Sequence, residues 1–447
     1  EADKGPAELT GLVCDRENLE ILLRISRKKA RPPVAERPAA LLTPYLAIRQ
    51  GLLPGRGLPE RPPWKVLAGY AAPAALWETD ILGPRQAGYT PETLDREIAR
   101  GNLLWYGAGR ERLGFCAPED LALVFADDPA LPFAGPDNAA LGEASGAFWE
   151  APRDFWEIKA ALGEDTTATA RRLWEEVWGG RLSADSFEPV RRGIAGGYVP
   201  REAPQAVDPR GRRQRRIPRA LRERWRSGPP VPGRWFSLAG DGIGGEEPDP
   251  LDEEELNRDR VRMLLDRWGV LARPLLEREA PALSWARLLP TIRRLELAGE
   301  LVAGRFFRGI NSLQFASPSI PGELEAAEAV TGIYWMNALD PASPAGLDIE
   351  GLERRLPPRI ASTRPCFRGR ELIVVAGKNN GDLRVFLGPD DPDLPEALGF
   401  LKIPRPSPAR RKISVETING EAAPRSPYAG ALKALGFLPD RDKLTRW

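Results

Sequence analysis

The chain has no histidine at all among its 447 residues. That absence removes the imidazole general base, the Ser/His and Cys/His nucleophile pairs and every His-ligated metal in one step. Carboxylates, amides, Tyr, Lys and Cys are left to carry any chemistry. Cysteine is scarce too: Cys14, Cys116 and Cys366 are an odd, widely spaced set without a CxxC. This excludes a disulfide framework and a zinc site and fits a reducing cytoplasm. No apolar run approaches the ~18 residues of a membrane span and no signal peptide is visible, so the expectation is a cytoplasmic, nucleoid-associated protein with no membrane partner. The formal charge of +1 is almost balanced, so any basic character must be local. There is no G-x-x-x-x-G-K-[ST] loop, and Lys378 in Ala376-Gly377-Lys378-Asn379 lacks the glycine spacing that cradles phosphate. These residues should neither bind nor hydrolyse ATP. Methionine occurs only at 263 and 336 and the chain begins at Glu1, so the expectation is a fragment of something longer.

What is present is a sequence long enough for roughly three domains. Its most informative block runs from Leu256 to Ala316. Val261, Leu264, Leu265 and Trp268 form one apolar helical face that Gly269 ends. Pro274 opens a short second helix. A third starts at Ser284, a capping residue, with Leu288, Ile292 and Leu295 inward, and tolerates Pro290 only near its first turn. Gly299 stops it. Leu301 to Phe307, the Gly309-Ile310-Asn311-Ser312 turn and Leu313 to Phe315 then read as a β-hairpin. Three helices and a hairpin make a winged helix. On its third helix Arg287, Thr291 and Arg294 lie opposite the apolar stripe, placed to face a DNA groove, with Arg305 and Arg308 on the wing to touch phosphate. The plainer alternative is that they are solvated surface cations.

The helix, glycine, leucine exit recurs at Ile98-Ala99-Arg100-Gly101-Asn102-Leu103 and Val177-Trp178-Gly179-Gly180-Arg181-Leu182. Glycine supplies the left-handed residue that ends a helix, and the leucine starts a strand beneath it. In the first copy Thr90 caps, Pro91 opens the helix, and Leu103 to Phe115 forms the wing. In the second, Leu182 to Val190 is too short for a full wing. The expected architecture is therefore α+β, tandem winged-helix domains followed by a small β-rich, barrel-like C-terminal domain. Its boundaries are an N-terminal helical segment at 1–63, winged helices at 64–130 and 131–200, a basic then acidic linker at 201–255, a winged helix at 256–320 and the β-rich domain at 321–447. The linker concentrates the basic charge: Arg210 to Arg226 includes Arg212, Arg213, Arg215 and Arg216, with Glu223 as the lone acid. It reads either as a phosphate-tracking arm or as a solubilising linker. Asp241 to Asp259 reverses the sign and is expected to hold that arm when DNA is absent. Asn18 to Lys29 reads as a basic amphipathic helix.

With the repeat and the wing placed, the chain resembles the C-terminal region of the bacterial large helicase-related (Lhr) DNA helicases. The resemblance rests on Leu76-Trp77-Glu78-Thr79-Asp80-Ile81-Leu82 with Gly88-Tyr89-Thr90-Pro91, on Gly233-Arg234-Trp235, on Gly304-Arg305-Phe306-Phe307 through Gln314-Phe315-Ala316, and on Asp340-Pro341-Ala342-Ser343-Pro344. It implies an upstream ATP-driven, Mg-dependent motor in the same polypeptide and single-stranded or forked DNA as partner, with no cofactor or metal in these residues. It also implies a link to winged-helix DNA glycosylases and uracil removal. A histidine-free site suits base excision, since a carboxylate can stabilise a cationic sugar while an amide or acid places water. The candidates are Asp440, Asp442 and Gln314, against their reading as loop acids and a strand amide. Trp105 is the candidate for base stacking. Three functions follow: a DNA-gripping accessory region of a repair helicase, a DNA glycosylase, or a platform for homo-oligomerisation.

Overall fold

The structure, a computed structural model, describes residues 15–30, 34–53, 62–125, 148–149, 151–198, 231–238, 249–352, 354–403 and 412–447. Helix α1 (Arg16–Ala30) is followed by α2 (Leu42–Arg49), in which every residue but Arg49 is buried. The first winged helix contains α3 (Pro63–Val66), β1 (Ala72–Pro73), a π-helical stretch at Trp77–Leu82, α4 (Pro91–Ala99), β2 (Leu104–Gly107) and β3 (Arg112–Cys116), then α5 (Leu121–Phe125). Leu94 and Ile98 are the buried face of α4. Thr90 occupies the cap position, but its side chain makes no capping bond.

The second unit holds α6 (Phe155–Leu162), α7 (Thr166–Trp178), β4 (Leu182–Ala184), α8 (Glu188–Gly196) and β5 (Trp235–Ser237). Asp154 and Glu157 close a reciprocal capping box on α6, which satisfies otherwise orphaned N–H groups. The wing that looked truncated is completed from afar: β4 pairs antiparallel with β5, and Arg153 bridges Trp235 on its other side. Trp235 to Ser237 thus belongs to this unit rather than to a linker. No local signal could show this, because the partner strands are separated by residues 185–234.

The third unit runs through α9 (Pro250–Trp268), β6 (Val270–Leu271), α10 (Arg273–Leu276), α11 (Trp285–Ala298), β7 (Val302–Gly304) and β8 (Gln314–Ala316) to α12 (Ile320–Glu328). Its sheet order, β6-β8-β7, repeats the β1-β3-β2 order of the first. Gly299, at φ 88°, ends α11 in the left-handed region. Two expectations fail here. Helix α9 begins at Pro250, capped by Asp249, so Asp252 to Glu255 are helical and not linker. Pro290 is the sixth residue of α11, beyond the first turn, yet the helix continues. Both Pro290 and Ala286, whose carbonyl it leaves without a helical partner, are exposed, so water can replace the lost bond.

The remaining strands are β9 (Ile333–Trp335), β10 (Arg364–Arg368), β11 (Glu371–Gly377), β12 (Asp382–Val385), β13 (Ile413–Val415), β14 (Thr417–Ile418), β15 (Glu421–Ala422), β16 (Leu438–Asp440) and β17 (Lys443–Arg446). They make a six-stranded sheet, β15-β14-β12-β11-β10-β9, and a three-stranded sheet, β13-β17-β16. Among the described residues these sheets are open, without the closed ring of a barrel. Ile413 to Ile418 divides between the two sheets. An Asn-Asn-Gly turn links β11 to β12, with Asn379 and Asn380 at positive φ.

Packing unites these units. One core joins Trp77, Trp105, Phe115, Trp174 and Trp235 across the first two winged helices. Another joins α2, the third winged helix and one face of the six-stranded sheet. Two sequence motifs that carry the Lhr resemblance meet at the junction. The Asp80 carboxylate accepts from Arg364 Nε (3.1 Å) and Nη2 and from Asn337 Nδ2 (2.7 Å). Five residues on, Arg85 donates to both oxygens of Asp340 (2.6 and 2.7 Å). All four charged side chains are wholly buried.

Candidate nucleic-acid interface

A winged helix meets nucleic acid through its third helix and its wing, so these elements decide the site. In the first unit both are partly covered by the second, although Arg96, Arg100 and Arg110 stay exposed. Asp95 on α4 accepts from Arg191 of α8 at 2.6 Å, and Arg191 also grips Glu78. The first wing packs on α7: a side chain at Gly107 would bring its Cβ to 1.7 Å from the Val177 carbonyl oxygen. Trp105 lies on this wing but is 0% exposed, donates to the Ser186 carbonyl and packs edge-on to Phe187 and Trp235. It is core, and the stacking role is withdrawn. A wing strand facing a second domain has no solvent side to offer a base.

The third unit also departs from expectation. Arg287 pairs with Glu253 at 3.1 Å, and Arg294 with Glu254. Thr291 is buried and donates to Glu254 at 2.9 Å. The face read as groove-facing is turned toward the first turns of α9. Glu253 and Glu254, two of the acids expected to hold the 210–226 arm, pair with this helix, and the arm itself lies outside the described residues. Helix α9 starts six residues before Leu256, and its acidic first turns supply these partners. Arg212, Arg213, Arg215 and Arg216 lie outside the described residues.

The third wing is different. Arg305 and Arg308 are both exposed, and among the described residues the side chain of Arg308 has only a loose surface pair with Glu36 at 3.8 Å. The loop carrying them is rigid at its base. Arg37 pairs with Phe307 in a parallel bridge, accepting from Arg308 N and donating to the Phe306 carbonyl (both 2.8 Å).

Gln314 is the other anchor. Its Oε1 accepts from the Phe306 and Phe307 amides (3.0 and 2.9 Å), and its Nε2 donates to the Phe307 carbonyl (2.8 Å). At 0% exposure, it is a clamp for the wing and offers a substrate nothing; the catalytic assignment is withdrawn. Gln314→Ala is expected to lower stability by about 1–3 kcal/mol, because three buried backbone groups lose their partner. Urea denaturation checks this, and an unchanged midpoint would contradict it.

Asp440 and Asp442 sit on the β16–β17 hairpin, above a separate core formed by the C-terminal sheets. Asp440 accepts from Lys412 Nζ at 2.6 Å, a bond that holds its carboxyl below the usual carboxylate range. The same ammonium lies 4.5 Å from the ring centre of Trp447, which is 80% exposed. Asp442 is exposed. The hairpin thus gathers an ionised carboxylate, an ammonium and an accessible aromatic face. Lys412 and Trp447 were not singled out from sequence, since the pairing joins strands 28 residues apart. Among the described residues no group of His, Cys, Asp and Glu has metal-binding geometry, and no helix is long and apolar enough to cross a membrane.

Residues 64–125 and 250–335 each match the family described as large helicase-related protein, winged-helix domain. A curated relative from Escherichia coli K12, named Lhr helicase/uracil glycosylase, is 27% identical over 402 residues, covering 83% of this chain and 25% of the relative. One from Mycolicibacterium smegmatis, named Lhr helicase/probable uracil glycosylase, is 26% identical over 292 residues, covering 62% of this chain and 18% of the relative. The chain therefore spans about a quarter or less of the length of these relatives. Among solved structures, the Streptomyces sahachiroi DNA glycosylase AlkZ superposes with a TM-score of 0.46 at 15% identity, over 82% of this chain and 95% of that one.

Proposed function

Because this chain is an Lhr-type winged-helix region, we propose that it is a DNA-binding, repair-related region that grips single-stranded or forked DNA for an ATP-driven motor elsewhere in the same polypeptide. The observation that carries this reading is the third wing. Arg305 and Arg308 are exposed on a loop held by Arg37 and Gln314, while the arginines of the neighbouring helix are engaged by Glu253 and Glu254. Contact through a wing alone favours phosphate over base edges, so the grip is independent of sequence. ATP and Mg belong to the motor, and this region uses neither. The expected result is binding of single strands and forks that weakens at least about tenfold between ~50 and ~200 mM salt, by counterion release. Fluorescence anisotropy measures it, and binding indifferent to salt would sink the reading.

A second reading, uracil excision, is favoured by the C-terminal hairpin. An ionised Asp440 can stabilise the cationic sugar that forms as the N-glycosidic bond breaks, and Trp447 offers a face for a flipped base. Both curated relatives carry uracil glycosylase in their names. Excision should proceed in EDTA without ATP and should fall on the order of a hundredfold in Asp440→Asn, with DNA binding retained. Since the folded carboxyl titrates below its ordinary ~3.9, the activity should persist through mildly acid pH and fail only as pH drops through the depressed value. Uracil-containing single strands, treated with alkali and run on a gel, report it. Intact strands would leave only the binding role.

A further inference from the structure

Of the arginines wholly buried at the junction of the domains, Arg85, Arg364 and Arg267 are matched by carboxylates, Asp340, Asp80 and Glu279, and Arg260 donates to the Leu123 carbonyl and to Asn257 Oδ1. Two half-buried arginines beside them are bonded to carbonyls and a hydroxyl. Arg278, in the third winged helix, donates Nη1 to the Ser343 carbonyl (2.7 Å) and Nη2 to the Ala345 carbonyl (2.6 Å). Arg359, between β9 and β10, donates Nη1 to the carbonyls of Ala338 and Asp340 (2.9 and 3.2 Å) and Nη2 to the Leu339 carbonyl and the Tyr70 hydroxyl (3.0 and 2.8 Å). Both guanidiniums are half-buried and converge on one loop, Ala338 to Ala345. Among the described residues neither has an ion pair. The carboxylates near this cluster are already taken, Glu279 by Arg267 and Trp268 and Asp340 by Arg85.

A guanidinium has five N–H donors. The hydrogen bonds of the two side chains engage two donors on Arg278 and all four terminal donors on Arg359, so Arg278 keeps three, among them Nε–H, and Arg359 keeps its Nε–H. Two positive charges drawn together in a half-dry junction without a counterion are unfavourable unless an anion completes them. Burial and then the nearby charge of Arg359 push the Arg278 guanidinium down to about 9, against the opposing influence of Tyr70 and Glu279. The planar edge of Arg278, with Nε–H and a terminal N–H free, is the geometry that receives a phosphate, and Arg359 can add its single free Nε–H.

We propose that Arg278 and Arg359 form a binding site for a backbone phosphate of DNA, where the first winged helix, the third and the C-terminal domain meet. The site lies apart from the third wing in sequence and would give the strand a second fixed point. This rests on the proposed DNA-binding function. It is tested on the full chain in two arms. In the first, anisotropy of a fluorescent oligothymidine is followed from ~50 to ~200 mM salt. Arg278→Gln and Arg359→Gln are each expected to weaken binding about tenfold and to reduce the log–log salt slope by about 0.7, one phosphate neutralised on a single strand. The second arm needs no substitution and stands if a variant does not fold. Wild-type chain is labelled with phenylglyoxal and Arg278 is followed by peptide mass mapping; inorganic phosphate should protect it where chloride at equal ionic strength does not. Normal affinity and slope in both variants, with no phosphate protection, would overturn the site while leaving DNA binding intact. Protection by phosphate in a chain that binds no DNA would support the anion site and overturn the DNA reading instead.

Discussion

Asp80→Ala lowers the stability of the chain by about 3–5 kcal/mol, the range for removing one partner of a buried ion pair. The loss is large because of what remains. Arg364 stays wholly buried with its principal acceptor gone, Asn337 Nδ2 keeps only the Ala361 carbonyl of its two acceptors, and the Thr79 hydroxyl loses its bond to Asp80. The π-helical stretch that presents Asp80 packs Trp77 edge-on to Phe115, so the damage reaches the core of the first winged helix. Replacing both partners, as in Asp80→Leu with Arg364→Met, should recover much of the stability, since an apolar pair of similar volume needs no desolvated charge to be satisfied. Urea denaturation of the single and double variants forms a cycle. A double variant no more stable than Asp80→Ala would show that an unpaired, buried Arg364 is not the source of the loss.

Arg305→Glu combined with Arg308→Glu weakens single-strand binding on the order of a hundredfold at low salt, and reduces the salt slope by about 1.4, some 0.7 for each phosphate no longer neutralised. Folding should be unaffected, because both side chains are exposed and the wing is held from beneath by Gln314 and Arg37. The contrast is Arg287→Glu with Arg294→Glu. Those side chains face Glu253 and Glu254, so reversal sets like charges against each other and lowers stability while changing DNA affinity less. Anisotropy titrations with thermal melts separate the two outcomes. If the helix pair proved the more damaging to binding in a folded chain, the third helix and not the wing would be the element that touches DNA.

These contrasts follow the division between local and tertiary information. The helices of the third unit, their glycine exits at Gly269 and Gly299 and its hairpin were legible because caps, left-handed glycines and turn residues act within a few positions of the chain. The repeat was legible for the same reason. The second wing was not, since β5 returns across residues 185–234 to complete it.

The site divides along the same line. Sequence by itself determined the residue types available to it: no imidazole, few thiols, and arginines grouped on one helix, one wing and one arm. Both described cysteines are buried, with their thiols pushed above the ordinary range, which leaves them out of the chemistry. Only the tertiary structure decided which of the rest face water. It buried Trp105 against the second domain, turned Arg287, Thr291 and Arg294 toward α9, and made Gln314 a clamp. It left Arg305 and Arg308 exposed and placed Arg278 and Arg359 on backbone carbonyls rather than carboxylates. The reason is that exposure and charge pairing depend on partners far away in the chain, such as Asp80 with Arg364, and no local pattern encodes them.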